Sequence, residues 1–276
     1  MKVTGPARGS VTAPKRSRRK VSRVRLPHPL YGLYERRLAA SLPRDSIPRL
    51  VGVILDGNRR WAKSFGEPAS TGHKRGADKI TELLAWSEEV GVEVVTLWML
   101  STDNLERSQD ELEPLLEIIE DAVGELAATG RWRVQAVGAL DMLPDHTVKA
   151  LVAAQDATAN VVGLHVNVAV GYGGRREIAD AVKAFLREHA DAGSSLDELA
   201  EAFDMEQIAD RLYTKGQPDP ELVIRTSGEQ RLGGFLLWQS AHSEFYFCEA
   251  YWPDFRRVDF LRAVRAYAAR ERRLGR

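Results

Sequence analysis

From Arg49 onward the sequence alternates between short runs rich in β-branched residues and longer amphipathic runs, and this alternation constrains the fold most strongly. The short runs predict strands at residues 50–55, 92–97, 132–137, 164–170 and 222–224, and at 235–238 followed by 245–247. Apolar residues at helical spacing predict helices over 74–90, 110–128, 145–157, 175–187, 205–212 and 258–273. Helices between strands indicate an α/β fold with a largely parallel sheet.

Length and charge divide the chain into three parts. The 276 residues, 44% of them hydrophobic, are enough for one substantial core, so we expect a single domain over 49–276. Residues 1–25 carry many basic side chains and no acidic one, which predicts a disordered basic tail. Residues 26–48 are predicted to form a helical lead-in. The tail could touch nucleic acid or anionic lipid, but a solvated extension is the simpler interpretation and no nucleic-acid partner is expected.

Cysteine content and hydropathy restrict the location and the cofactors. Cys248 is the only cysteine, which excludes an intrachain disulfide framework and any multi-cysteine metal site. No apolar run reaches the roughly 20 residues that cross a bilayer. The sequence therefore predicts a cytoplasmic protein, with membrane contact limited to the basic tail.

Polar segments follow several predicted strands, where ligands bind in open parallel sheets. The segment after the first strand, 56–61, combines a carboxylate, a glycine, an amide and two guanidiniums, as a metal-bound diphosphate requires. Arg225 and Arg231 flank a second basic, glycine-containing loop after a later strand. An ordinary Asp-Gly turn and a surface ion-pair loop are the simpler alternatives for these two segments.

Two other motifs point less clearly to a site. The Gly171–Gly174 loop follows a strand and precedes a helix, but Arg176 stands where a dinucleotide-binding loop has its third glycine. His73 could be a base or a phosphate ligand, although a lone histidine at a helix start is more often a packing residue.

Collinear motifs from residue 56 to the end resemble those of the cis-prenyltransferases, the family of undecaprenyl diphosphate synthase. They comprise residues 56–63 with 72–73, then 101–104, 167–175, 222–231, 235–239, 252–255 and 273–275. The resemblance implies a homodimeric, Mg²⁺-dependent enzyme that joins isopentenyl diphosphate to an allylic diphosphate and leaves a cis double bond. It also implies a six-stranded sheet with a hydrophobic tunnel between the sheet and two helices, so that 49–276 would be a catalytic domain.

The resemblance also assigns roles by matching position. Asp56 and Glu244 would hold Mg²⁺, and Asn104 would assist proton removal. The substrate-binding set would be Gly57, Asn58, Arg59, Arg60, Trp61 and His73 for the allylic diphosphate, Arg225, Arg231 and Gly233 for isopentenyl diphosphate, and also Ser101, Thr102, Asp103, Arg107, Arg273 and Gly275. Ala69 and Gly233 depart from the family pattern, each removing one potential contact.

The sequence also allows a more specific prediction, the length of the prenyl product. Met99 stands where long-chain members have a small alanine lining the tunnel, so its side chain would fill part of that space. With Leu100 and Leu105 it makes this segment similar to actinobacterial short-chain enzymes, which form (2Z,6E)-farnesyl diphosphate from geranyl diphosphate. We expect a short product. The alternatives are a long-chain synthase, a non-catalytic partner subunit of the same fold, a nucleotide-binding enzyme and a nucleic-acid-binding protein.

Overall fold

The protein was analysed as a computed structural model that describes residues 28–270, with side chains described from residue 32 onward. Six strands form one sheet: β1 (Leu50–Ile54), β2 (Val94–Trp98), β3 (Arg133–Val137), β4 (His165–Ala169), β5 (Leu222–Arg225) and β6 (Glu244–Phe247). Their order is β3-β4-β2-β1-β5-β6, and every pairing is parallel. The predicted α/β fold and its six-stranded sheet are confirmed.

Nine α-helices lie within the described residues. They are α1 (His28–Ala40), α2 (Asn58–Ser64), α3 (Ala69–Val90), α4 (Gln109–Ala128), α5 (Asp145–Ala157), α6 (Gly174–Asp191), α7 (Leu196–Ala202), α8 (Met205–Ala209) and α9 (Arg257–Ala268). Helix α3 ends at Gly91, which adopts φ +93° and closes the last turn. None of the helices in this part of the chain is both long and apolar enough to span a membrane.

Successive side chains along a strand point to opposite faces of the sheet, and each face packs into its own hydrophobic core. Val51 and Val53 of β1 point into the larger one, which also takes Leu83 and Leu84 of α3, buried leucines of α4 and much of α9. Ile54 and Val223 point to the other face, where they meet Phe235 and Leu236. All five residues of β1 are buried, as expected for a central parallel strand.

One predicted strand is wrong. Residues 235–238 form turns leading into a 3-10 helix (Gln239–His242), and only the later run becomes β6. Gly233 and Gly234 have positive φ, and Leu236 adopts φ +45°, which an extended strand does not allow. The apolar run is instead a buried loop that covers Gly52, whose added Cβ would lie 3.0 Å from the Phe235 ring.

Candidate active site

The carboxyl ends of β1 and β5 place Asp56 beside Arg225. The two strands are neighbours, with Ile54 opposite Arg225. The Asp56 backbone N–H donates to Thr226 Oγ1 at 2.9 Å, and the Asp56 carbonyl accepts from the Trp252 backbone N–H at 3.1 Å. The main chain at residue 56 is therefore fixed from both sides, and its carboxylate is directed at the guanidinium that leaves β5.

Three donors hold the Asp56 carboxylate in its charged form. Arg225 Nη2 lies 2.9 Å from one oxygen, and Arg60 Nη2 lies 3.1 Å from the other. Burial raises the pKa of Asp56, but hydrogen bonds from Arg225 and Ser227 and the charges of Arg60 and Arg225 outweigh burial, so the net pKa falls below its usual range. The ionised carboxylate of Asp56 lines the cavity.

The second basic loop meets the first through Glu229. Its carboxylate accepts from Arg60 Nη1 at 3.1 Å and lies 3.7 Å from Arg231 Nη2. Arg225 Nη1 donates to the Arg231 carbonyl. The structure thus brings the two arginine groups predicted from separate segments to one cavity.

Helix α2 carries Asn58, Arg59 and Arg60 into this cavity. It begins after Gly57, which adopts φ +110°. Helix α3 passes very close, since a Cβ at Gly72 would lie 2.2 Å from the Asn58 carbonyl oxygen. This close approach explains why a glycine stands next to His73. The Asn58 Oδ1 atom is buried without a hydrogen-bond partner.

A further group of arginines, Arg59 and Arg107, also lines the cavity. Glu111 of α4 accepts from Arg59 Nη1 at 2.9 Å and from Arg107 Nη1 at 3.0 Å. Arg107 Nη2 also donates to Asn104 Oδ1 at 2.8 Å, which fixes that amide. Burial lowers the pKa of His73 to about 4, and the charges of Arg107 and Arg59 add to this shift. His73 is therefore neutral at physiological pH.

The cavity has a volume of about 950 Å³ and collects most of the predicted site. Its lining includes Asp56, Gly57, Asn58, Arg59, Arg60, His73, Met99, Leu100, Ser101, Asp103, Asn104, Arg107, Arg225, Arg231 and Gly233. Its lining combines basic groups with apolar side chains such as Met99, Leu100 and Leu115, which suits an amphiphile with an anionic head.

A second, much smaller space adjoins the cavity and shares Met99 and Leu115 with it. This space of about 30 Å³ is lined by Met99, Leu115, Ile119, Ile80 and Trp252, among others. Such a volume holds about two water molecules. The hydrophobic tunnel implied by the resemblance stays a prediction.

Several predicted residues lie elsewhere. Trp61 packs on Phe65 with ring centroids 4.9 Å apart and is not among the cavity-lining residues. Thr102 lies against Gly173, where an added Cβ would be 2.5 Å from Thr102 Oγ1. Leu105 packs on the larger core. Arg273 and Gly275 lie outside the described residues, as does the basic tail.

Glu244 is not brought to Asp56 within one chain. It pairs with Leu222 at the amino end of β5, whereas Arg225 pairs with Phe247. Three residues along a strand span about 10 Å. Glu244 instead forms an ion pair with Arg270. It could join Asp56 at a metal ion only from a second chain.

Six other residues line the cavity but were not among the predicted site residues: Ile54, Leu55, Lys63, Trp98, Leu115 and Glu229. Glu111, which organises two arginines, also escaped notice because acidic residues in the first turn of a helix usually face solvent. Its spacing of four residues from Arg107 is the signal that could have identified it.

An α/β fold with ionised Asp56 between two arginine clusters defines a class of enzymes that act on diphosphates. The sequence model of the prenyltransferase family, described as undecaprenyl diphosphate synthase, matches residues 54–275, and the chain belongs to this family. It is thus an enzyme of isoprenoid biosynthesis, and the predicted family is confirmed.

Named relatives and a solved structure agree with this assignment. The chain is 62% identical over 248 residues to (2Z,6E)-farnesyl diphosphate synthase of Thermobifida fusca, covering 90% of this chain and 97% of the relative. It is 58% identical over 246 residues to isoprenyl transferase 1 of Streptomyces avermitilis, covering 89% and 96%. The crystal structure of lavandulyl diphosphate synthase from Lavandula x intermedia, in complex with dimethylallyl diphosphate, has a TM-score of 0.76 at 32% identity, covering 83% of this chain and 98% of that one.

Proposed function

We propose that this prenyltransferase condenses isopentenyl diphosphate with a short allylic diphosphate, geranyl diphosphate above all, to give (2Z,6E)-farnesyl diphosphate. The observation that carries the proposal is a cavity lined by both arginine clusters, next to a space of only about 30 Å³ that shares Met99 with it. Relatives at 62% and 53% identity, from Thermobifida fusca and Mycobacterium tuberculosis, are named (2Z,6E)-farnesyl diphosphate synthase.

The two clusters divide the substrates between them. Asp56 and the residues of the α2 start, Gly57 to Arg60, receive the allylic diphosphate, and Arg225, Arg231 and Gly233 receive isopentenyl diphosphate. Arg59 gives one nitrogen to Glu111, whereas Arg60 gives one nitrogen to Asp56 and the other to Glu229, and both arginines are partly exposed and line the cavity. Guanidinium groups that are already aligned stabilise the charge that grows on a departing diphosphate.

The chemistry needs one bond broken, one formed and one proton removed. The bond from the allylic carbon to its diphosphate oxygen breaks, the isopentenyl alkene attacks that carbon, and a proton leaves C2 of the isopentenyl unit. Asn104 is not a base, because an amide has no titratable nitrogen at these pH values. We assign it the orientation of the isopentenyl unit, held by Arg107, with a diphosphate oxygen taking the proton.

Mg²⁺ fits the site through Asp56. The carboxylate is ionised and borders the cavity, and Mg²⁺ is commonly bound by one or two carboxylates together with substrate phosphates. Among the described residues no cluster of three His, Cys, Asp or Glu side chains could hold a metal alone. The ion would therefore enter with the diphosphate, and when bound it would neutralise negative charge on the leaving group.

A homodimer is the assembly we propose, with β6 as part of its interface. This strand is the last one at its end of the sheet, and its Phe247 is partly exposed. A partner chain could then bring a carboxylate such as Glu244 toward the metal. Light scattering after size-exclusion chromatography tests this, since a monomer at micromolar concentration would contradict it. A cytoplasmic location and membrane contact through residues 1–25 stay predictions.

Product analysis tests the function. Full-length protein with Mg²⁺, isopentenyl diphosphate and either geranyl or farnesyl diphosphate should convert the geranyl primer to a single short product with a new Z double bond. Chromatography against geometric standards identifies that product. No condensation with any allylic primer would refute the enzyme, and a product of ten or more isoprene units would refute the short-chain assignment.

A further inference from the structure

Ser227 has a backbone conformation that side-chain-bearing residues rarely adopt. Its φ is +79°, in the left-handed region, and only one other described residue besides the glycines, Leu236, has a positive φ. Such conformations persist where surrounding contacts enforce them, and they occur preferentially at functional sites. Glycine would adopt this conformation without strain, so we expect the serine side chain itself to have a role at this position.

The backbone around Ser227 is held by the loop that follows β6. Its N–H donates to the Ala250 carbonyl at 2.7 Å, and the next N–H, of Gly228, donates to the Cys248 carbonyl at 2.8 Å. Gly57 gives the side chain its space, because a Cβ on Gly57 would lie 3.1 Å from the Ser227 Cβ. The serine is 9% exposed.

The hydroxyl joins two groups of the first diphosphate cluster. Ser227 Oγ accepts from Arg60 Nη2 at 2.7 Å, and the same nitrogen donates to Asp56 Oδ1 at 3.1 Å. A hydrogen bond from Ser227 also supports the charged Asp56 carboxylate. One hydroxyl thus orients the guanidinium of Arg60, which in turn contacts the Asp56 carboxylate.

We propose that Ser227 is a positioning residue whose hydroxyl holds Arg60 and Asp56 in the geometry that receives the allylic diphosphate. The inference rests on the proposed function, since it concerns the same cluster. The left-handed backbone at residue 227 places this oxygen against Arg60, which itself contacts Asp56. Neither the sequence motif nor the resemblance assigned the serine a role.

Two variants distinguish the effect of backbone strain at residue 227 from the effect of its hydroxyl group. Ser227→Ala removes the oxygen and keeps the strained φ, whereas Ser227→Gly removes the oxygen and relieves the strain. Ser227→Gly should melt about 2–6 °C above Ser227→Ala, as expected from the cost of the left-handed region in a chain of this size. Both variants should nevertheless lose the same function, with the KM for geranyl diphosphate raised about tenfold and the KM for isopentenyl diphosphate changed less than about twofold.

Steady-state kinetics with each substrate varied, together with thermal melts, decide the matter. Ser64→Ala is the matched control, because this exposed hydroxyl on α2 donates only to the Trp61 carbonyl at 2.6 Å. Wild-type kinetics in Ser227→Gly, or a functional loss that follows the melting temperatures, would overturn the inference and leave a purely structural serine. A wild-type enzyme that failed to condense would instead remove the proposed function.

Discussion

Asp56 Oδ2 accepts a 2.9 Å hydrogen bond from Arg225 Nη2, although the two residues are 169 positions apart in the sequence. The contact exists because β1 and β5 are neighbours and end together. Arg225 is 7% exposed, and its Nε has no hydrogen-bond partner. Asp56 is therefore the main neutralising charge for a buried cation, and the pair would join the two diphosphate sites proposed above.

Asp56→Asn should abolish most turnover while keeping the shape of the side chain. We expect condensation to fall at least about 100-fold, because the metal ligand and the charge facing the diphosphate are both lost. Stability should fall by about 2 kcal/mol, since Arg225 is left buried without its counter-charge. Radiolabelled condensation assays and urea unfolding measure the two effects. Asp78→Asn, on the exposed side of α3, is the control; an equal loss there, or full activity in Asp56→Asn, contradicts the prediction.

Arg225→Lys tests whether charge alone is enough. Arg225 uses two nitrogens, one for Asp56 and one for the Arg231 carbonyl, and a lysine ammonium cannot span both in the same planar geometry. We expect the KM for isopentenyl diphosphate to rise about tenfold or more, with the protein still folded. Substrate-saturation curves and a circular dichroism melt provide the check. An unchanged KM would mean that a point charge serves this position equally well.

The sequence was sufficient for the sheet and for the two basic loops, because both follow from local pattern. Strands alternating with helices imply a parallel sheet, and polar segments after strands collect at one edge. Asp56 and Arg225 were therefore predicted to face one cleft before any contact was known. Their hydrogen bond was not predictable, because strand order is a property of tertiary packing.

The errors have equally specific causes. Residues 235–238 have the apolar composition of a strand, but composition does not reveal the positive φ of Leu236. Helix α2 was not predicted, since its seven residues are too few for a periodic signal. The placement of Glu244 at the amino end of β6, away from Asp56 in the same chain, was also not predictable, and its role as a metal ligand stays a prediction.

His73 should make stability depend on pH. The unfolded histidine has a pKa near 6.5, while burial holds the native value at about 4, so only the unfolded chain gains a proton between these values. This contribution to stability is complete above about pH 6.5 and is lost as pH falls toward 4. At pH 5 the loss should be about 2 kcal/mol in the wild type and absent in His73→Gln. Urea unfolding at pH 7.5 and pH 5 measures it; parallel losses in the two proteins would disprove it.

Met99→Ala should lengthen the product. Met99 lines both the cavity of about 950 Å³ and the adjoining space of about 30 Å³, so removing its side chain enlarges the apolar space available to a growing chain. We expect a measurable fraction of products longer by one or more isoprene units, by the same volume argument that makes added atoms costly in packed walls. Chromatography that resolves the products by chain length measures this fraction. Met142→Ala, a partly exposed methionine outside the cavity, should leave the distribution unchanged, and identical products from both variants would remove Met99 as the stop.

Gly57→Ala should destabilise the protein more than Gly66→Ala, and the comparison isolates the effect of steric crowding at the site. Both glycines have positive φ, +110° and +74°, so both variants pay for a left-handed backbone. A Cβ at Gly57 would lie 2.7 Å from the Tyr251 ring and 3.1 Å from Ser227, while nothing lies within 4 Å of one at Gly66. We expect Gly57→Ala to be less stable by about 1–3 kcal/mol relative to Gly66→Ala.

The two glycine variants should differ even more in enzyme kinetics than in stability. Relief of the clash at Gly57 requires Tyr251 or Ser227 to move, and Ser227 orients Arg60. Gly57→Ala should therefore lose affinity for the allylic diphosphate, whereas Gly66→Ala should keep wild-type kinetics because its added methyl group meets only solvent. Chemical denaturation and allylic saturation curves on the two proteins provide both numbers. Equal stability, or equal KM values, would show that the space beside Gly57 is not needed to build the diphosphate site.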